Sequence, residues 1–422
     1  MNALLLFLFM QSAIGPEIDR RAGQVQSKVV TWRRDIHQNP ELGNREMRTA
    51  KLVADHLHSL GIEVRTGVAH TGVVGVLRGG RPGPVIALRA DMDALPVTEQ
   101  VNVPFASKVR STYNGQEVGV MHACGHDNHV AILMGVAEVF AGMKDRLAGT
   151  IKFVFQPAEE GVPSGEDGGA KMMIAEGVLE NPKPDAIFGL HVGSEENVGK
   201  ILYRSGGTMA SSDTLRIVVK GRQSHGAAPW EGVDPIVVSS QIVMGLQTIA
   251  SRQMNVTQAP SVITIGSIHG GVRFNIIPDE VVMEGTVRTF VPEMQDDILR
   301  RIRLTAESIA ASAGAEAKVE ITNYAPVTYN DPALTERMAP TLKRVAGAEN
   351  VLIAPLITAA EDFAYYQQKI PGFYFFLGST RKGLDPKTAP GNHSPLYDVD
   401  EGVLPLGVRA LAHLAADFLF KQ

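Results

Sequence analysis

The stretch "GTIKFVFQPAEE", Gly149–Glu160, is largely apolar as far as Phe155 and then stops at Gln156 and Pro157, with two acids behind them. Ile151, Phe153, Val154 and Phe155 suit a strand buried on both faces, and the proline ends it. Other apolar runs end in the same way. "PVIALRA" leads to Asp91-Met92-Asp93, "PDAIFGLHV" carries His191, and "FYFFLGS" is followed after a loop by Asn392-His393-Ser394. Helical patterns lie among them. Met47, Ala50, Val53, Ala54, Leu57 and Leu60 share one face before Gly61. Val130, Leu133, Met134, Ala137 and Phe140 share another after His126, and a further helix is predicted near Gly169–Glu176. Strands alternating with helices predict an α/β layer fold with a mostly parallel sheet. Such sheets bind ligands at the carboxyl ends of their strands, which is where these acids and histidines fall.

The pattern changes near residue 208. "DTLRIVVKG" reads as a strand, and Asp234 caps a helix that starts at Pro235 and runs to about Arg252. "SVITIGSIHGG" and "EVVMEGTVRTF" read as alternating strands, "PEMQDDILRRIRLTAESIAASAG" as a helix and "AKVEITNY" as a strand. The order β-α-β-β-α-β is the ferredoxin-like plan. The expected organisation is a catalytic domain of residues 16–207 and 323–422, interrupted by an inserted lid domain of residues 208–322.

A chain of 422 residues with 44% apolar and 20% charged residues suits two such domains with sizeable cores. The net charge of -5 and the lack of a basic stripe argue against nucleic acid or an anionic membrane surface as partner. A single cysteine, Cys124, excludes an intramolecular disulfide. The apolar run Ala3–Met10 is too short to span a bilayer, and with the small residues near Ala13-Ile14-Gly15 it reads as a signal peptide over residues 1–15. Export is therefore expected, although no Lys or Arg precedes the run and Pro16 follows it. A retained segment would place the protein in the cytoplasm. No later segment reads as membrane-spanning.

Cys124 lies in "MHACGHDNHVAIL", Met121–Leu133, beside His122 and His126. A lone cysteine is ordinarily a small buried hydrophobe. Thiol, imidazole and carboxylate donors gathered at one sheet edge instead suit zinc or another first-row metal. The donors exceed what one ion takes, so two ions sharing a ligand fit better, as in sites that hydrolyse acyl bonds. Of Glu159 and Glu160, one can ligate while the other faces a reacting water as general base. His37, His56, His58, His70, His269 and His413 read as structural, and His122 and His129 as structural or supporting.

These residues resemble a family of metal-dependent amidohydrolases that includes aminoacylases, carboxypeptidases and the hydrolases of indole-acetyl amino acids, the last with their bacterial relatives being the nearest branch. The resemblance rests on "WRRDIHQNPELG", "RADMDALPV", "MHACGHDNHVAIL", "FVFQPAEEG", "GLHV", "SHGAAPWEGVDPI", "GGVRFNIIPDEV", "EGTVRTF", "EDFAYY" and "NHSPLYDVDE", in order over nearly everything past the first 25 residues. It implies a centre of two divalent ions, zinc first with manganese, cobalt or nickel as alternatives, held by Cys124, His126, Glu160, His191 and His393. Cys124 would bridge them, Glu159 would be the general base, and Asp93 would orient a histidine ligand. From the inserted domain, His225 would reach the active site of a partner subunit and polarise the scissile carbonyl, while Asn275 and Arg288 would hold substrate. The alternative for Arg288 is a surface salt bridge. The implied activity is hydrolysis of N-acyl amino acids or short peptides by water activated at the ions, in a homodimer without stable membrane association. Alternatives are a carboxypeptidase or dipeptidase, a deacetylase of N-acetyl-diaminopimelate type, or a binding protein on an inactivated scaffold. Ala359-Ala360 before "EDF" departs from the Gly or Ser common there, and the loop "GVPSGEDGGAKMM" has no assignable role.

Overall fold

The computed structural model describes residues 14–420, which divide into two compact units. The apolar run of the expected signal peptide lies outside the described residues, while Ile14 and Gly15 already belong to the helix Ile14–Gln38. The second unit comprises Gly207–Tyr329 and Pro355–Ala364, and the rest of the described chain forms the first. Pro355–Ala364 thus groups with the inserted unit, although its place in the sequence suggested the catalytic domain. The segment is short and has no periodic pattern to mark it.

The first unit is built on an eight-stranded sheet. Its order is Glu63–Val68, Gly72–Arg78, Ala148–Gln156, Arg81–Asp91, Ala186–Asn197, Gly372–Thr380, Ile201–Tyr203 and Val351–Ile353. The four central strands, from Ala148–Gln156 to Gly372–Thr380, are mutually parallel, so their carboxyl ends form one rim. Antiparallel pairings flank them on both sides. Phe153, Phe155, Leu88, Phe188, Phe373 and Phe375 are fully buried, as expected of strands covered on both faces.

The helices Ile14–Gln38, His126–Ala141 and Val403–Phe420 pack against one another and contribute to the same core. Gly135 is a point of close approach within His126–Ala141: a Cβ there would lie 2.8 Å from Val29 and 3.1 Å from Val408. Val403–Phe420 is long and apolar enough to cross a membrane by composition, but its apolarity is accounted for by burial, since 72% of it lies inside the molecule. The helix Ile14–Gln38 was missed in the sequence, yet Ile14, Ile18, Ala22, Val25, Val29 and Ile36 recur at helical spacing and are buried.

The second unit has a four-stranded sheet in the order Ser261–Gly270, Glu280–Thr289, Ser212–Lys220 and Glu316–Ala325, with every pairing antiparallel. The helices Pro235–Thr248 and Pro292–Ser312 pack on it, and Asp234 caps the first by accepting from the N–H groups of Ile236 and Val237. In chain order this is β-α-β-β-α-β.

Candidate metal centre

The rim of the parallel strands gathers Asp91 and Asp93, Glu159 and Glu160, and His191. The Cys124 loop and the Asn392–His393 loop close over it. His393 N–H donates to the Ala123 carbonyl at 2.8 Å, and Asn392 Nδ2 donates to the carbonyls of Cys124 at 2.9 Å and Val192 at 3.1 Å. Gly125 separates Cys124 from His126 at φ 96, and a Cβ there would lie 2.4 Å from Val192. Only glycine meets both demands, and it lets the thiol leave the loop just before the imidazole starts the helix.

Cys124 Sγ lies 3.4 Å from His191 Nε2 and 3.3 Å from His393 Nε2, and Glu160 Oε1 lies 3.1 Å from His393 Nε2. Two groups of donor atoms, each within 4.8 Å of one another, share this sulfur: Cys124 with His126 and His191, and Cys124 with Glu160 and His393. His126 Nδ1 donates to the Asp93 carbonyl at 2.8 Å, which leaves Nε2 buried without a hydrogen-bond partner. That nitrogen faces Asp91 at 3.8 Å, Glu159 at 3.9 Å and Glu160 at 4.0 Å. A bare imidazole nitrogen among carboxylates, beside a thiol, is a donor set that suits a cation.

The carboxylates make this rim attractive to positive charge. Burial opposes charge on His126, yet Asp91 and Asp93 carry its pKa up to about 10. Burial, with Glu160 and Glu159, holds the Cys124 thiol well above its ordinary range. Burial drives His191 down to about 3, so its Nε2 is a free electron pair at neutral pH. Burial also raises Glu160, but the His393 hydrogen bond and His126 outweigh it and hold the carboxyl below its usual value.

Supporting contacts surround these donors, and the supporting role expected for His129 is among them. His129 donates from Nδ1 to Asp91 Oδ1 at 2.5 Å and accepts the Val192 N–H on Nε2 at 2.9 Å, which fixes its ring between two rim strands. Arg89 ties Asp91 to Gln156. Asp93 orients His126 as expected, chiefly through its main-chain carbonyl at 2.8 Å from Nδ1 with one carboxylate oxygen at 3.3 Å, and its other carboxylate oxygen accepts the Glu160 N–H at 2.9 Å. The unassigned loop after Glu160 is clamped by Arg45 on Glu166 and by Asn44 on the Asp167 carbonyl.

Within the second unit, His225 sits on the short strand Ser224–His225, paired with Ile276–Ile277. Its Nδ1 accepts the Ala227 N–H at 2.9 Å, so the exposed imidazole presents Nε2–H. Asn275 is adjacent, its carbonyl accepting the Gly226 N–H at 2.8 Å. Arg288 donates to Thr286 Oγ1 and to the Val287 carbonyl, and burial lowers its pKa. Asp213 acts on it electrostatically in the opposite direction.

A thiol, three imidazoles and paired carboxylates converging on the rim of a parallel sheet define a metal-dependent hydrolase. The chain belongs to peptidase family M20/M25/M40, whose family model matches residues 87–417. It is 43% identical over 94% of its length, and 96% of the relative's, to thermostable carboxypeptidase 2 of Saccharolobus solfataricus. It is 36% identical over 99% of its length, and 94% of the relative's, to an IAA-amino acid hydrolase of Arabidopsis thaliana, ILR1-like 2. A solved structure, the Bacillus subtilis YxeP protein described as a dinuclear metal binding peptidase of family M20, superposes with a TM-score of 0.77 at 36% identity, covering 94% of this chain and 99% of that one. The chain is accordingly a metal-dependent hydrolase of amide bonds.

Proposed function

We propose that the enzyme cleaves the amide bond between an acyl group and an amino acid that bears a free α-carboxylate. The observation that carries this reading is the pair of donor groups sharing Cys124 Sγ, which include Glu160 and leave Glu159 beside them. Cys124 with His126 and His191, and Cys124 with Glu160 and His393, would hold two divalent ions, zinc first by the softness of thiolate and imidazole, with manganese, cobalt or nickel as alternatives. The ions would supply Lewis acidity toward the scissile carbonyl and ease the loss of a proton from water. Glu159 takes that proton and later delivers it to the leaving amine. His225 Nε2–H, fixed as a donor by its Nδ1 bond, would act from a second copy of the chain and stabilise the oxygen as it gains charge. Asn275 and Arg288 hold the substrate carboxylate, a task suited to a guanidinium fork.

Support for the substrate class comes from chemistry common to two relatives. A carboxypeptidase and a hydrolase of amino acid conjugates both release an amino acid with a free carboxylate. N-acetyl, N-aroyl and indole-acyl amino acids, and dipeptides, are to be compared with their α-amides. Turnover of the free acids is expected to exceed that of the amides by about 100-fold, the scale of a lost charged contact. Equal rates on both would refute carboxylate recognition, and the ranking of acyl groups separates an N-acyl amino acid hydrolase from a peptidase.

A homodimer through the second unit is part of the proposal. Ser261–Gly270 is an edge strand, exposing Val262 and Ile268, and Val272 and Phe274 beyond it are 97% and 95% exposed. An uncovered edge flanked by apolar side chains favours pairing with a second copy. Light scattering is expected to give a dimer mass for the parent and a monomer for Phe274→Asp. A monomeric parent at micromolar concentration would refute it.

A further inference from the structure

Glu46 occupies the position before the helix Met47–Ser59, where a side chain ordinarily accepts N–H groups of the first turn. It makes no such bond. The side chain turns inward, fully buried, and one oxygen accepts the Thr71 hydroxyl at 2.5 Å while the other accepts the Ala158 N–H at 2.9 Å. Ala158 is the residue before Glu159, and its φ of 52 is left-handed, a conformation that costs a non-glycine residue about 1 kcal/mol and persists only where its surroundings enforce it.

The rest of the segment grips the same turn. A Cβ on Gly43 would meet the Gly161 carbonyl at 2.5 Å, so the two backbones are in close contact there. The Glu41 carbonyl accepts the Ala94 N–H at 2.8 Å, which fastens the segment to the Asp93 loop as well. The stretch Glu41–Glu46 therefore braces both loops that carry the site's carboxylates, and Glu46 bonds directly to the turn just ahead of Glu159.

We propose that Glu46 is a positioning residue for hydrolysis, holding the left-handed turn at Ala158 so that the Glu159 carboxylate stays in reach of the attacking water. The inference rests on the reading of Glu159 as the base. A base must sit within hydrogen-bond distance of its proton, and a displacement of about 1 Å can cost on the order of 100-fold in rate.

The test compares Glu46→Gln, Glu46→Asp and Glu159→Gln in metal-loaded enzyme. Glutamine keeps an acceptor at the same reach without the charge, and aspartate keeps the charge but falls short of Ala158. Glu46→Gln is expected to keep kcat within about threefold, and Glu46→Asp to lose about tenfold or more in kcat with KM and metal content unchanged. Parent-like kcat in Glu46→Asp, or equal losses in both variants, would overturn the proposal. If Glu46→Asp does not fold, Glu46→Gln still decides, since a tenfold loss there contradicts it. Glu159→Gln separates the two claims. An inactive Glu159→Gln beside a fully active Glu46→Asp defeats only the role of Glu46, while an active Glu159→Gln defeats the base and the brace together.

Discussion

Glu159→Gln is expected to lower kcat by about 1,000-fold while leaving metal content and melting temperature near those of the parent. The magnitude is that of a positioned general base, roughly 100- to 10,000-fold. Glutamine has almost the shape of glutamate, so packing at this 9% exposed position survives the change. What is lost is a site that can take a proton from water and hand it to the amine. Metal loading should persist because the donor groups built on Cys124 contain Glu160 rather than Glu159. Steady-state kinetics together with elemental analysis decide the matter, and a variant with parent turnover would remove Glu159 from the chemistry.

Stripping the ions with a chelator is expected to abolish turnover and to lower thermal stability. Without cations, the carboxylates of Asp91, Glu159 and Glu160 crowd together around His126 with only part of their charge offset by neighbouring side chains. Ions present at 100 to 1,000 times their dissociation constant stabilise the folded state by about 3–4 kcal/mol. For a domain of this size that corresponds to roughly 5–15 °C in melting temperature. Activity should return when divalent ions are added back, with the ranking among zinc, manganese, cobalt and nickel identifying the best metal. Undiminished activity after exhaustive chelation would contradict the account.

The parts legible in the sequence were those that follow long buried strands. The Glu159–Glu160 pair and His191 could be read because a strongly apolar run points straight at each, while the choice of Glu160 as the ligand came from the family resemblance. Cys124 and His126 stood out by residue type, and His393 by its loop after "FYFFLGS". Asp93 and His129 were read as supports, but their partners, and the roles of Arg89 and Glu46, were not legible because they depend on contacts between distant segments. Nothing near Glu46 announces burial, since an acid ahead of a helix reads as a solvated cap, and only the fold brings Ala158 to it across 112 positions. His129 became interpretable once Asp91 and Val192 were seen on either side of its ring. The strands Ile201–Tyr203 and Val351–Ile353 are too short to leave a periodic trace. The helix Ile14–Gln38 had a clear apolar stripe, but its beginning overlapped the segment read as a signal peptide.

The central claim is that one thiol is shared by two ions. A crystal of the zinc-loaded enzyme, measured on both sides of the zinc absorption edge, tests it directly. The account predicts two anomalous peaks per chain, both bonded to Cys124 Sγ, one adjoining His126 and His191 and the other adjoining Glu160 and His393. A single peak, or a pair of ions with Cys124 bonded to neither, would contradict it.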